Sequence, residues 1–138
     1  MDHVVARTTT TVRLHTGDGL PVREIDTQLR YDSRDPLVIS FVFLLHEQNV
    51  LWALGRDLVA AGLIAPAGYG DVVLRPDDQD PGRVEFWFTD GGEGSKLSAP
   101  LSEIAAFVDR THELVPMGEE WLWLDLDAEL AKVLPAVE

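Results

Sequence analysis

The chain reads as an α+β domain built from antiparallel strands and short helices. Two patterns lead there. Runs of β-branched and aromatic residues alternate with polar ones between Gly, Pro and Asp clusters. These runs fall into two sets, each followed by a segment with helical spacing, which predicts two sheet-plus-helix halves. The composition agrees: 138 residues, 46% hydrophobic and 25% charged, suit one globular domain spanning residues 1–138.

Residues 8–11 and 12–15 alternate, with Thr8, Thr10, Val12 and Leu14 on one face. Gly17-Asp18-Gly19-Leu20-Pro21 is a turn, and a second strand is expected over residues 25–31. Pro36 holds Asp35 away from helical geometry and turns the chain. Residues 37–45 are then apolar on both faces except at Ser40, so this strand needs cover on both sides, from a helix or another subunit. Residues 50–54 pair back across a turn at 46–49. A short helix follows over 56–61, with Gly62 placed to close it in the left-handed region.

Strands resume at 71–74 and 83–89, joined by the polar loop 76–82. Val84, Phe86 and Phe88 alternate with Glu85, Trp87 and Thr89, which puts Trp87 on the outward face. Residues 90–94 form a hairpin tip leading into 95–97. The clearest helix starts near Pro100, carries Ile104, Phe107, Val108 and Thr111 on one face, and ends before Pro116. Residues 119–126 read as a last strand, with Leu122, Leu124 and Leu126 opposite Trp121, Trp123 and Asp125. Asp127 can cap a closing helix over 128–134.

Eleven Lys and Arg against 24 Asp and Glu give a formal charge of −13. Such a charge repels nucleic-acid backbones and anionic membranes, so neither is an expected partner. It favours solubility and allows a basic protein partner. With no cysteine there are no disulfides, thiolate metal sites or cysteine nucleophiles. The N-terminus lacks a signal-like apolar core and no run has the length of a membrane span, so a soluble intracellular protein is expected.

A search for chemistry returns little. His3, His15, His46 and His112 are scattered without metal-ligand spacing, and no metal or cofactor is expected. In Gly92-Glu93-Gly94-Ser95-Lys96 the residue order is wrong for a phosphate loop and a strand follows. Asp77, Asp78 and Asp80 are interrupted by Pro81, which breaks calcium-loop spacing. There is no GxSxG elbow, so a non-enzymatic protein is expected. Trp87, Trp121 and Trp123 fit either a core or subunit interface, or anchors for a protein partner; they are the partner-binding candidates. As stacking platforms for single-stranded nucleic acid they are weak, because basic residues do not accompany them.

Three phrases occur in order: Leu29-Arg30-Tyr31-Asp32-Ser33-Arg34-Asp35-Pro36, then residues 52–63 (Trp52-Ala53-Leu54-Gly55-Arg56-Asp57 onward), then Gly68-Tyr69-Gly70-Asp71-Val72-Val73. With Arg75-Pro76, the Phe107 to Gly118 stretch and Asp125-Leu126-Asp127-Ala128-Glu129-Leu130, they resemble the SsgA-like family of actinobacterial sporulation and cell-division proteins. The branch stays open, the SsgB-like branch included. Membership implies a fold similar to the whirly-type single-strand-binding proteins, assembled as a homotrimer. It also implies a cytoplasmic, non-enzymatic adaptor at division septa, acting on FtsZ or another septal or SsgA-like protein. The alternative, taken from the implied fold alone, is a single-stranded nucleic-acid-binding module. By the same resemblance Arg56 and Asp57 pair or cap at the first helix, while Gly62 and Gly68 allow backbone turns.

Overall fold

The computed structural model describes residues 3–15, 21–68, 70–90 and 93–124. In chain order these form β1 (Val5–His15), β2 (Pro21–Asp32), β3 (Val38–Leu44), β4 (Asn49–Gly55) and α1 (Arg56–Gly62). They continue with β5 (Val72–Pro76), β6 (Arg83–Asp90), β7 (Glu93–Pro100) and α2 (Leu101–Leu114), and end in a 3-10 turn, Glu120–Leu122. Both strand sets enter one seven-stranded sheet of order β4-β3-β2-β1-β7-β6-β5, every neighbouring pair antiparallel. The two sheet-plus-helix halves are therefore recognisable but fused. Their seam is narrow, since β1 meets β7 only from Arg13↔Ser98 to His15↔Lys96.

The sheet is strongly curled. Four interstrand steps separate β3 from β6, which in a flat sheet is about 19 Å. Yet the rings of Phe41 and Phe86 lie 5.3 Å apart, and Trp52 of β4 stands 4.5 Å from Phe88 of β6. The concave face carries the alternate residues Val12, Ile25, Leu29, Ile39, Phe41, Leu54, Leu74, Val84, Phe86, Leu97 and Ala99, which form one core. Helix α2 lays Ile104, Phe107, Val108 and Thr111 onto it. Glu103 in its first turn suits the helix dipole and accepts a hydrogen bond from Thr10.

Two local expectations change. Gly62 is the last residue of α1 and has no positive φ. It is small because α1 presses on β5, where a Cβ at this position would sit 2.4 Å from the Leu74 Cβ. The strand expected over 119–126 is, as far as it is described, the 3-10 turn; residues 125–126 and the expected helix 128–134 lie outside the described residues. Gly118 (φ 86) reverses the chain there and the Glu120 side chain is drawn inward, so the Trp–Leu alternation does not follow a pleat. The apolar strand β3 turns Ile39, Phe41 and Phe43 into the core. Val42 on the other face is 5% exposed between its register partners Gln28 and Leu51, and Leu44 is 44% exposed.

Candidate interaction surfaces

The family-like phrases meet at one end of the curled sheet, around Arg56. This first residue of α1 is 1% exposed. Its Nη1 donates to the carbonyls of Thr111 (3.0 Å) and Val115 (2.7 Å), and its Nη2 to Glu120 Oε1 (2.7 Å). A cation is thus placed on two carbonyls at the C-terminus of α2, where the dipole favours it; that of Thr111 also accepts from the Val115 N–H at 2.9 Å. The guanidinium also stands over the Tyr31 ring at 5.3 Å. Tyr31 Oη donates to the Pro36 carbonyl (2.8 Å), and Ser33 ties the same turn to Val4 through Oγ and backbone.

Asp57 takes no part and is exposed, which corrects the expected pairing at the helix start. Gly68 does serve a turn, at φ 114. Electrostatics follow the contacts. The backbone N–H of Glu120 and then the Arg56 guanidinium hold the Glu120 carboxyl below its ordinary value. Burial, partly offset by Arg56, pushes Tyr31 up to about 12.

The three tryptophans part company. Trp121 is 63% exposed on the 3-10 turn, beside Leu122 at 43%. Trp123 is half-buried and packs on the core. Trp87 lies on the convex face, as the alternation indicates, but it is held: Nε1 donates to Glu85 Oε2 (2.9 Å), and Arg75 and Lys96 approach its ring to 5.1 and 5.3 Å. Glu85, 6% exposed, also receives Arg75 at 2.9 Å and Lys96 at 3.5 Å. Burial works to raise its carboxyl; the hydrogen bonds from Arg75 and Trp87 and the Lys96 charge outweigh it and hold the group below its ordinary value. Basic residues do accompany Trp87, then, brought by β5 and β7 rather than by sequence proximity. A period-2 reading of those strands, once paired, is the signal that finds them.

At the opposite end of the sheet from Arg56, the concave face opens as an apolar cavity of about 300 Å³ between Leu14, Ile25, Phe43, Val50, Trp52 and Phe88. The acidic loop is occupied with its own backbone. Asp77 Oδ1 accepts from the N–H groups of Gln79 and Asp80, and Asp80 Oδ1 from that of Gly82. Gly94, Ser95 and Lys96 belong to β7, so no helix follows them to form a phosphate site. Among the described residues no three His, Asp or Glu side chains gather to hold a metal ion, and no helix is long and apolar enough to cross a membrane.

Fold and surfaces together define a curled-sheet α+β protein whose buried polar groups lock helices and strands in place. The family model described as "Streptomyces sporulation and cell division protein, SsgA" matches residues 25–120. The sporulation-specific cell division protein SsgB of Saccharopolyspora erythraea is 38% identical over 135 residues, covering 97% of this chain and 95% of that relative. SsgB of Streptomyces coelicolor is 38% identical over 108 residues, 77% of this chain and 79% of the relative. The crystal structure of an SsgA-like sporulation-specific cell division protein from Thermobifida fusca superposes with a TM-score of 0.83 at 28% identity, covering 95% of this chain and 96% of that one. The chain belongs to the SsgA family of sporulation and cell-division proteins, on its SsgB branch.

Proposed function

We propose that this protein is a non-enzymatic adaptor of sporulation-specific cell division, bringing septation machinery such as FtsZ to future septa through protein contacts. The observation that carries a docking site is Trp121. A large indole held mostly in water, on a turn fixed by the Arg56–Glu120 bridge, is pre-organised to be buried by a partner. Trp123 supports that turn from beneath.

The proposal includes self-assembly as a trimer. Support comes from β4, an edge strand of sequence Asn-Val-Leu-Trp-Ala-Leu-Gly without a charge or proline, whose Leu51 is 58% exposed near Leu44 of β3 at 44%. Uncharged edges of this kind invite pairing. Three copies of one weak site then bind a polymer with avidity.

Co-sedimentation with polymerised FtsZ of the host is the test. Saturable pelleting is expected, lost in Trp121→Ala while that variant stays within about 0.5 kcal/mol of wild-type stability. Pelleting unchanged by Trp121→Ala removes this residue as the anchor. A folded protein that never pellets removes FtsZ as the partner. Analytical ultracentrifugation of wild type and Leu51→Lys checks assembly: a wild-type protein of monomer mass refutes it.

A further inference from the structure

The convex face of β1, β7, β6 and β5 carries a concentration of cations unlike the rest of this acidic chain. Two rows run across the paired strands. One holds Arg75, Glu85, Ser98 and Arg13; the next holds Val73, Trp87, Lys96 and His15. Arg83 stands beside them, its guanidinium bonded to the Ser98 hydroxyl (3.0 Å) and carbonyl (2.8 Å). Four of the eleven basic residues thus share one surface. The carboxylate set among them, Glu85, is only 6% exposed and already takes bonds from Arg75 and Trp87. Arg13 and Arg75 keep 43% and 41% of their side chains in water, and Arg13 has just a loose contact to Glu24 at 3.9 Å. Burial and then the Arg13 charge lower Arg83 from its ordinary value, with Asp80, Asp77 and Glu24 offsetting part of this.

We infer that this face binds an acidic, extended segment of a protein partner, with Arg13, Arg75, Arg83 and Lys96 as the cations that meet its carboxylates and Trp87 as the floor between them. Charge complementarity selects the occupant. Three interstrand steps place the backbones of Arg75 and Arg13 about 14 Å apart, and an extended chain advances about 3.3 Å per residue, so acidic residues four apart reach both ends. Single-stranded nucleic acid is disfavoured. Base stacking needs a bare aromatic face, whereas Arg75 and Lys96 crowd the Trp87 ring. The net charge of −13 opposes a polyphosphate at long range. The site adds a second surface to the adaptor reading and does not require that FtsZ be the partner, so failed FtsZ pelleting leaves it standing.

The probe is a short fluorescein-labelled peptide of alternating Glu and Ser, followed by fluorescence anisotropy at low and high salt beside an equally labelled single-stranded oligothymidylate. Saturable, salt-sensitive peptide binding is expected, weakened about tenfold or more by Arg13→Glu and by Arg75→Gln. Arg34→Glu on the distant 33–37 turn, the same charge change, leaves it unaltered. Arg13→Glu keeps the test valid if Arg75→Gln disturbs Glu85. Absence of peptide binding, equal losses in Arg13→Glu and Arg34→Glu, or tighter binding of the oligonucleotide than of the peptide each overturns the inference.

Discussion

Replacing Arg56 by alanine empties the joint between α1, α2 and the 3-10 turn. The Thr111 and Val115 carbonyls lose donors at 3.0 and 2.7 Å, and Glu120 loses its cation at 2.7 Å. The side chains of the pair are 1% and 13% exposed, so water restores only part of what is lost. Removing one partner of a buried pair costs about 3–5 kcal/mol. The Val115 carbonyl left without its donor belongs within that figure, because the cost is largely that of groups left unsatisfied, while the Thr111 carbonyl keeps its bond from the Val115 N–H. Set against a stability of about 5–15 kcal/mol for a domain, the variant melts on the order of 10 °C lower. Lysine keeps the charge but not the planar fork that serves two carbonyls and a carboxylate at once, so Arg56→Lys falls between. Urea melts followed by far-ultraviolet circular dichroism, on Arg56→Ala, Glu120→Ala and the double variant, give the coupling energy, expected at roughly 2 kcal/mol. A loss under about 1 kcal/mol in Arg56→Ala, or additive single losses, would refute the assignment of this joint as the lock on α2.

Glu120 and Glu85 have depressed folded-state values, so their stabilisation is complete above the unfolded value of 4.5 and disappears as pH falls through the lower folded value. Urea midpoints measured below pH 4.5 therefore drop steeply in wild type, and less so in Glu120→Gln. Tyr31 gives the opposite limb. Its folded value of about 12 exceeds 10.0, so stability is intact below pH 10 and is lost between 10 and 12, amounting to roughly 2–3 kcal/mol. Tyr31→Phe, although it gives up the bond to Pro36, removes that alkaline dependence; an unchanged slope in calorimetry would contradict the burial argument. Gly62→Ala destabilises by about 1–3 kcal/mol in thermal melts despite the better helix propensity of alanine, because its Cβ meets Leu74 at 2.4 Å. Gly55→Ala, whose Cβ meets only Leu58 at 3.8 Å, stays close to wild type.

The strands and both helices were legible because period-2 and period-3.6 patterns report burial on one face, and the observed core follows those faces from Val12 to Val108. What escaped depends on partners far away in sequence. Arg56 finds its carbonyls and carboxylate 55 to 64 positions on, across a fold that no local pattern encodes. The Trp-Leu-Trp-Leu stretch resembles a strand, but a side-chain bond from Arg56 to Glu120 and a positive φ at Gly118 prevail over the alternation. Gly62 carries the same residue type that a helix stop requires; only the approach of β5 tells the two reasons apart. Trp87 was placed on the correct face, yet its cations come from β5 and β7, in registers that the sequence does not spell out.

The division between phrases and surfaces has a functional consequence. Tyr31, Ser33, Pro36, Arg56, Gly62, Gly68 and Thr111, the residues through which the chain resembles its family, are spent on one buried joint, one helix–strand contact and one turn. A buried residue cannot choose a partner directly; it sets where exposed groups stand. Trp121 follows Glu120, which the bridge to Arg56 holds, and the convex-face cations are positioned by strand register. Substitutions in the phrases therefore lower stability first and binding only in proportion to the folded fraction lost. Substitutions at Trp121 or Arg13 do the reverse, altering binding at nearly constant stability. Plotting binding against unfolding free energy for both sets separates them: phrase variants fall on one stability-dependent line, and surface variants fall below it at wild-type stability.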